Sequence, residues 1–221
     1  LCSKLPSLIN TLNGMGPVRW LLEKVMGIDS RRSLPSFATQ TFDKWFLGRS
    51  TKQSADNKVL LFHDTFMTYY EPEIGIAATE LLEAGGYEVL LADNRQCCGR
   101  TFISNGMRDK AEAAARHNID ILLLHAKQGI PIIVCEPSCY SAIKEHYKDL
   151  VPGDDASIVA EHCFMLEEFI ASETKADRLN LSFTEDTSKL LLHGHCHQKY
   201  FLGTSPALNA LGLPTNFNVE E

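Results

Sequence analysis

"KVLLFHDTFMTYYEPEIGIAATELLEAGGYEVLLA", residues 58–92, is the stretch that decides the fold. Its first five residues form an unbroken apolar run, which is typical of a strand buried on both faces. The next part, "EPEIGIAATELLEAGG", has apolar residues at helical spacing and ends at a glycine pair. "YEVLLA" then predicts a second strand. This order of strand, helix and strand predicts a βαβ unit with parallel strands.

The same alternation continues along the chain. We predict strands at 130–136 and 189–194, and helices at 108–129, 138–150, 156–172 and 203–212. Strands that alternate with helices of about ten or more residues indicate an α/β fold, with a parallel sheet covered by helices on both faces. Residues 1–57 differ: two short helices, broken between Gly14 and Pro17, precede a polar segment. We interpret them as an N-terminal helical arm.

A weak internal repeat predicts two related halves. "KVLLFHDTFM" from Lys58 aligns with "KLLLHGHCHQ" from Lys189, and the alignment places Thr65 opposite Cys196. We therefore expect a first half at 58–188 and the start of a second at 189–221. Repeating the spacing from Thr65 to the "CC" pair predicts a second pair shortly after Glu221. On this expectation the chain is a fragment that ends before that pair.

Composition limits the function. The net charge is −7 without a basic patch, which argues against nucleic acid as a partner. No apolar run reaches the roughly 18 to 20 residues of a membrane span, and the first residues do not read as a secretory signal. We expect a cytoplasmic protein, with peripheral attachment to the inner membrane face as an alternative. Seven cysteines, an odd number, favour metal or redox chemistry over a disulfide framework.

Five of the cysteines follow predicted strands. Cys97 and Cys98 come after the second strand, Cys135 and Cys139 come at or after the third, and Cys196 comes after the last. Ligands of βαβ folds collect at the carboxyl edge of the sheet. Neighbours in sequence cannot easily form a disulfide with each other, so the 97–98 pair is expected to serve another group. Converging thiolates favour zinc or iron–sulfur over hard cations.

Three stretches of the sequence resemble a known protein family. "DNRQCCGRTFISNGM" (93–107), "EPSCYSAIKEHYKDL" (136–150) and "LLHGHCHQKYFLGTSP" (191–206) resemble the cysteine-rich CCG domain in the iron–sulfur portions of FAD-linked oxidoreductases such as glycolate oxidase and respiratory D-lactate dehydrogenase. The resemblance covers about residues 58–221, and "GHCHQK" is its most specific part. It implies that each complete half holds an iron–sulfur cluster with a leading cysteine, a CCG pair and a later C-x-x-C.

The cysteine positions of the family can be matched one by one to residues of this chain. Thr65 occupies the place of the leading cysteine in the first half, Cys135 is one place off the expected spacing, and Cys196 fits the leading cysteine of the second half. A [4Fe–4S] cluster normally takes four thiolates. The first half is therefore expected to hold a cluster with help from Cys196, to hold zinc, or to hold no metal. The ligands implied for the first half are Cys97, Cys98 and Cys139.

Several neighbours of the cysteines have two interpretations. His193, His195 and His197 could ligate or protonate the centre, or could hydrogen-bond the loop backbone and shape its turn. Arg100 could compensate the negative charge of a thiolate cluster, or form a surface ion pair. Cys163, within an apolar helical pattern, is expected to be a core residue.

The resemblance implies the iron–sulfur electron-transfer domain of an FAD-linked oxidoreductase that acts on a 2-hydroxy acid such as lactate or glycolate. Its implied partners are a flavin-containing domain or subunit, a ferredoxin-like module before residues 1–57, and a quinone or other electron acceptor. The domain is not expected to turn over substrate alone. The alternatives are a zinc-bound or metal-free docking module of the same complex, and a thiol–disulfide switch between Cys98 and Cys139.

Overall fold

The computed structural model describes residues 2–49, 55–179, 181–184 and 187–221, with Cys2 described by its backbone alone. The chain divides into two compact units. One, here called the N-terminal unit, contains Leu1–Thr51 and Thr65–Ala77. The other, here called the sheet unit, contains Lys52–Asp64 and Ala78–Glu221.

The N-terminal unit begins with a 3₁₀ turn (Cys2–Lys4), followed by α1 (Pro6–Gly14), α2 (Gly16–Met26) and α3 (Phe42–Gly48). The break that the sequence predicts between the first two helices is present, because Met15 is extended between them. The helix α3 lies where the sequence analysis expected a polar loop. It buries Phe42 and Phe46, so aromatic packing stabilises a helix that the local composition does not signal.

The remaining elements alternate between strands and helices, as predicted. In chain order they are β1 (Lys58–Phe62), α4 (Thr65–Tyr69), α5 (Pro72–Ala84), β2 (Glu88–Leu91), α6 (Arg100–Ser104), α7 (Arg108–Ala126), β3 (Ile132–Val134), α8 (Pro137–Ser141), a π-helical turn (Ala142–His146), α9 (Tyr147–Leu150), α10 (Asp154–Glu161), β4 (Cys163–Met165), α11 (Leu166–Lys175), β5 (Ser188–Leu191), α12 (Cys196–Phe201), α13 (Ser205–Leu211) and β6 (Phe217–Glu220).

Four parallel strands form the main sheet in the order β2-β1-β3-β4. Leu60 of β1 lies opposite Leu90 on one side and Ile132 on the other. The apolar runs 59–62 and 132–134 are buried throughout, which explains why they show no alternation. The predicted α/β class with a parallel sheet is thereby confirmed.

The two segments that the repeat aligns have the same order of elements. In the first, α4 and α5 separate the parallel strands β1 and β2; in the second, α12 and α13 separate the parallel strands β5 and β6. Both segments thus have a strand–helix–helix–strand arrangement. The boundaries of the halves at 58–188 and 189–221 stay a prediction.

One predicted helix is wrong in part. The stretch 156–172 was expected to be a single helix, but β4 separates α10 from α11 within it. Ile132, Ile133 and Val134 of β3 pair with Cys163–Met165, and Ile132 donates its N–H to the carbonyl of His162 at 2.8 Å. The ladder with β3 therefore outweighs the local helical pattern. Cys163 is fully buried, as expected of a core residue.

Within the described part of the chain, every helix is too short or too polar to cross a bilayer.

Replacing Leu60 tests the importance of the central strand. Leu60 is completely buried in β1, so Leu60→Ala is expected to lower the free energy of unfolding by about 2–5 kcal/mol, because it leaves a cavity. The matched control is Leu191→Ala, since Leu191 is 77% exposed on β5 and should cost less than about 0.5 kcal/mol. Urea unfolding followed by circular dichroism measures both; equal losses would contradict this account of the core.

Candidate metal centre

The sheet brings two cysteine-bearing segments to one edge. Strands β2 and β3 both pair with β1 in the parallel sense, so their carboxyl ends lie on the same side of the sheet. The chain leaving β2 reaches Cys97 and Cys98 in a turn before α6, and the chain leaving β3 enters α8, which carries Cys139. Gly99 ends the turn with φ of 81°, a left-handed conformation that disfavours any side chain.

The sulfurs of Cys98 and Cys139 lie 2.9 Å apart, although 41 residues separate them in sequence. Both side chains are buried, at 4% and 7% exposure. The separation exceeds the roughly 2.05 Å of a disulfide. It is shorter than the ~3.8 Å that two thiolates take around a tetrahedral zinc with bonds of about 2.3 Å. The pair therefore meets as hydrogen-bonded thiols that must separate by about 1 Å to share a metal ion.

Cys97 completes a short series of thiols. It is half-buried, packs against the core, and hydrogen-bonds through its side chain to Cys98. The bond with Cys139 raises the pKa of Cys98 to about 12, while the bonds from the Cys97 side chain and from the backbone N–H of Arg100 oppose that rise. At neutral pH the Cys98 thiol keeps its proton, so binding of a metal must release it.

Two buried polar side chains hold the backbone of this turn. Asn118, from α7, accepts a hydrogen bond from the N–H of Gln96 at 2.9 Å and donates to the carbonyl of Cys97 at 3.2 Å. Tyr147, from α9, donates to the carbonyl of Cys98 at 3.1 Å. The sequence analysis missed both residues. Asn118 could have been noticed in the sequence, because it is an amide at helical spacing among the buried apolar residues of α7.

The other two predicted ligands, Cys135 and Cys196, differ in burial. Cys135 follows β3 and is partly buried; burial raises the pKa of its thiol, and the nearby carboxylates of Asp64 and Glu167 raise it further. Cys196 is exposed at the start of α12, a helix that packs against α8. Among the described residues, no three side chains of Cys, His, Asp or Glu are already arranged to hold a metal ion.

Arg100, which follows the cysteine pair, lies close to two histidines. The guanidinium Nη1 of Arg100 lies 2.7 Å from Nε2 of His146. Burial lowers the pKa of His197, and the nearby charges of Arg100 and His195 lower it further. His195 caps α12, because its Nδ1 accepts the N–H of His197 at 3.2 Å. For His195 the structure therefore shows the turn-shaping role, one of the two that the sequence allowed.

The donor set fits a thiolate-held centre in its chemistry. The thiol of Cys98 adjoins those of Cys97 and Cys139 at one edge of the sheet, and soft sulfur donors select zinc or iron–sulfur. The helix that carries Cys139 is itself fixed at its start, because the carboxylate of Glu136 accepts the N–H of Ser138 at 3.0 Å. To hold a metal, the two touching sulfurs would have to separate slightly, and further ligands would have to approach them.

Part of the chain, including the cysteines near the sheet edge, is similar to known proteins. Residues 60–144 match the family model CCG, described as "Cysteine-rich domain". The chain is 28% identical over 194 residues to one of the subunits of the anaerobic glycerol-3-phosphate dehydrogenase of Escherichia coli (strain K12), an alignment that covers 87% of this chain and 48% of the relative. It is 28% identical over 180 residues to "Lactate utilization protein A" of Macrococcus caseolyticus, covering 73% and 69%.

A third relative is named an "uncharacterized iron-sulfur protein" in Methanococcus maripaludis; it is 26% identical over 126 residues, covering 55% of this chain and 24% of the relative. The chain spans about half the length of its relative from the glycerol-3-phosphate dehydrogenase. The resemblance to the CCG domain is confirmed. The matched segment contains Cys97, Cys98, Cys135 and Cys139, whereas Cys196 lies beyond it.

Thiol reactivity tests the burial of these cysteines. Among the cysteines whose side chains the structure describes, we expect Cys196 to react first with Ellman's reagent in the native, metal-free protein, because it is exposed. Cys98 and Cys163 should react only on unfolding, since both are buried and have a pKa of about 12. Stopped-flow absorbance measures the phases, and Cys196→Ser should remove the fast one. Rapid labelling of Cys98 in the folded protein would contradict the geometry.

Proposed function

We propose that this chain, whose residues 60–144 match the CCG cysteine-rich family, is an electron-transfer module that holds an iron–sulfur cluster at Cys97, Cys98 and Cys139. The observation that carries the proposal is the contact of 2.9 Å between the sulfurs of Cys98 and Cys139, with Cys97 adjoining them. The name of the methanococcal relative supports iron–sulfur over zinc.

A fourth ligand is needed for a [4Fe–4S] cluster, the type that we propose. Cys196 is our candidate, because α12 packs directly against α8, the helix that carries Cys139. It is also the residue that the repeat aligns with Thr65, which stands where the first half would have its leading cysteine. Cys135 is the alternative, although burial and nearby carboxylates oppose its ionisation.

The residues around the cluster would control its environment. When bound, the cluster would supply one-electron transfer. Because the side chains of Cys98 and Cys139 are buried, water would have little access to their sulfurs. The backbone N–H of Arg100 would donate a hydrogen bond to the Cys98 thiolate. The guanidinium of Arg100 would offset part of the negative charge of the thiolates. Hydrogen bonds, charge and burial of this kind set the reduction potential of such a centre.

The module would act with a flavoprotein. Two relatives are named for glycerol-3-phosphate dehydrogenase and lactate utilization, so we propose that FAD is bound by a separate domain or subunit, which oxidises a hydroxylated substrate, with a 2-hydroxy acid as the first candidate. Electrons would pass through this chain, and through a ferredoxin-like module, to a quinone or another acceptor. A cytoplasmic location, with attachment to the inner membrane face as the alternative, is part of the same proposal.

The thiol–disulfide switch is less well supported than the cluster. The two sulfurs are close enough to react, but attack on an oxidant requires a thiolate. A pKa of about 12 keeps Cys98 protonated, and burial limits the access of an oxidant.

Anaerobic reconstitution with iron and sulfide tests the proposal. We expect visible absorption, bound iron and sulfide, and a paramagnetic signal after reduction. Cys98→Ser and Cys139→Ser should each lose most of the bound iron, because each removes a ligand. Cys163→Ser is the matched control, since Cys163 is equally buried but lies in β4, outside the proposed ligand set. Binding of zinc with no iron would contradict the proposal and favour the docking module.

The fourth ligand is decided by a second pair of variants. We expect Cys196→Ser to lower iron retention and to change the paramagnetic signal, and Cys135→Ser to leave both unchanged. The opposite result would assign the ligand to Cys135.

A further inference from the structure

Asn118 and Tyr147 are two buried polar side chains that both hydrogen-bond the backbone of residues 96–99, here called the CCG turn. Both are completely buried, so neither can exchange its partners for bulk water. Asn118 lies in the middle of α7 and Tyr147 begins α9. Buried polar groups in folded proteins are paired, and their partners show what such groups hold in place.

Their partners are consecutive parts of one turn. Asn118 accepts from the N–H of Gln96 at 2.9 Å and donates from Nδ2 to the carbonyl of Cys97 at 3.2 Å. The hydroxyl of Tyr147 donates to the carbonyl of Cys98 at 3.1 Å. The backbone of three successive residues is therefore bonded to two helices that come from distant parts of the sequence.

The two side chains are also bonded to each other. Nδ2 of Asn118 donates to the hydroxyl oxygen of Tyr147 at 2.9 Å. This bond leaves the hydroxyl proton of Tyr147 free to point at Cys98, which is the direction that the turn requires. A shared bond of this kind makes the two residues one unit, so removing either one weakens the other's hold.

A π-helical turn places Tyr147 in this unit. Residues Ala142–His146 form that turn directly after α8, which carries Cys139. A π turn takes one more residue than an α turn, so it rotates the residues that follow it by about 100°. His146, at its end, reaches Arg100 at 2.7 Å, and Tyr147 reaches Cys98. The segment that supplies one thiol therefore also fixes the turn that supplies the other two.

We propose that Asn118 and Tyr147 are positioning residues that hold the CCG turn in the conformation in which the sulfur of Cys98 faces that of Cys139. The inference rests on the proposed function for its purpose, which is to preorganise two ligands of the cluster before it binds. Neither side chain touches the cluster site through its own polar atoms, because these are used on the backbone and on each other.

Tyr147→Phe is the principal variant, because it keeps the buried ring and removes only the hydroxyl. We expect the affinity for Co²⁺, used alone as a thiolate-binding probe, to fall about 10- to 100-fold. The reconstituted cluster should release iron faster to a chelator and show an altered paramagnetic signal. Tyr87→Phe is the matched control, since it removes another buried hydroxyl, one that donates to Glu173 at 2.6 Å in a different network.

The metal-free protein supplies a readout that does not depend on the cluster. Tyr147→Phe should speed alkylation of Cys98 and deuterium exchange of the amides at 96–100, whereas Tyr87→Phe should change neither. If wild-type protein binds neither Co²⁺ nor a cluster, the proposed function fails, and these two rates still decide whether the turn is held. Unchanged rates in Tyr147→Phe, or equal changes in both variants, would overturn the inference.

A double-mutant cycle tests the coupling of the pair. Asn118→Ala alone should also weaken Co²⁺ binding, and the double variant should lose less than the product of the two single effects, because the residues share a hydrogen bond. Independent effects would show that Asn118 and Tyr147 do not act as a unit.

Discussion

The parallel pairing of β1 with both β2 and β3 is the constraint on which the rest of the structure depends. It brings the carboxyl ends of two strands to one edge, where two thiols that are 41 positions apart in sequence lie 2.9 Å from each other. Ordering two segments that are distant in sequence lowers their conformational entropy. Burial of the apolar strands, in which Leu60 and Ile132 are completely enclosed, offsets that loss. The site is therefore a consequence of the sheet's topology.

The contact between two thiols and their burial together set the protonation of Cys98. The hydrogen bond with Cys139 raises the pKa of Cys98 most, and burial raises it further, so this thiol keeps its proton in the absence of a metal. On the proposed function, a bound cluster, the backbone N–H of Arg100 and its guanidinium would together offset the negative charge of the thiolates. Such a site would need a rigid turn, because a flexible turn would let water or another side chain replace these partners. The hydrogen bonds of Asn118 and Tyr147 to the turn backbone would supply that rigidity from within the core.

The repeat relates the candidate ligands to each other. In both segments two helices lie between two parallel strands along the chain. Cys196 begins the first of these helices in the second segment, as Thr65 does in the first. The contact between α12 and α8 brings the second segment against the helix of Cys139. A cluster shared by the two segments would therefore compensate for the missing leading cysteine, which is why the Cys196 variant is more informative than any other single substitution.

The sequence itself determined the α/β class and the central strands. It also determined the long helix α7 and the placement of cysteines after strands. These features follow from local periodicity, because a buried strand or a one-sided helix must show its burial in its own residues. The strand β4, the helix α3 and the π-helical turn were decided by the tertiary structure, since partners distant in sequence stabilise each of them. The same holds for the site: the residue types of Cys98 and Cys139 predicted the chemistry, but their contact, and the roles of Asn118 and Tyr147, depend on distances between segments that no local pattern encodes.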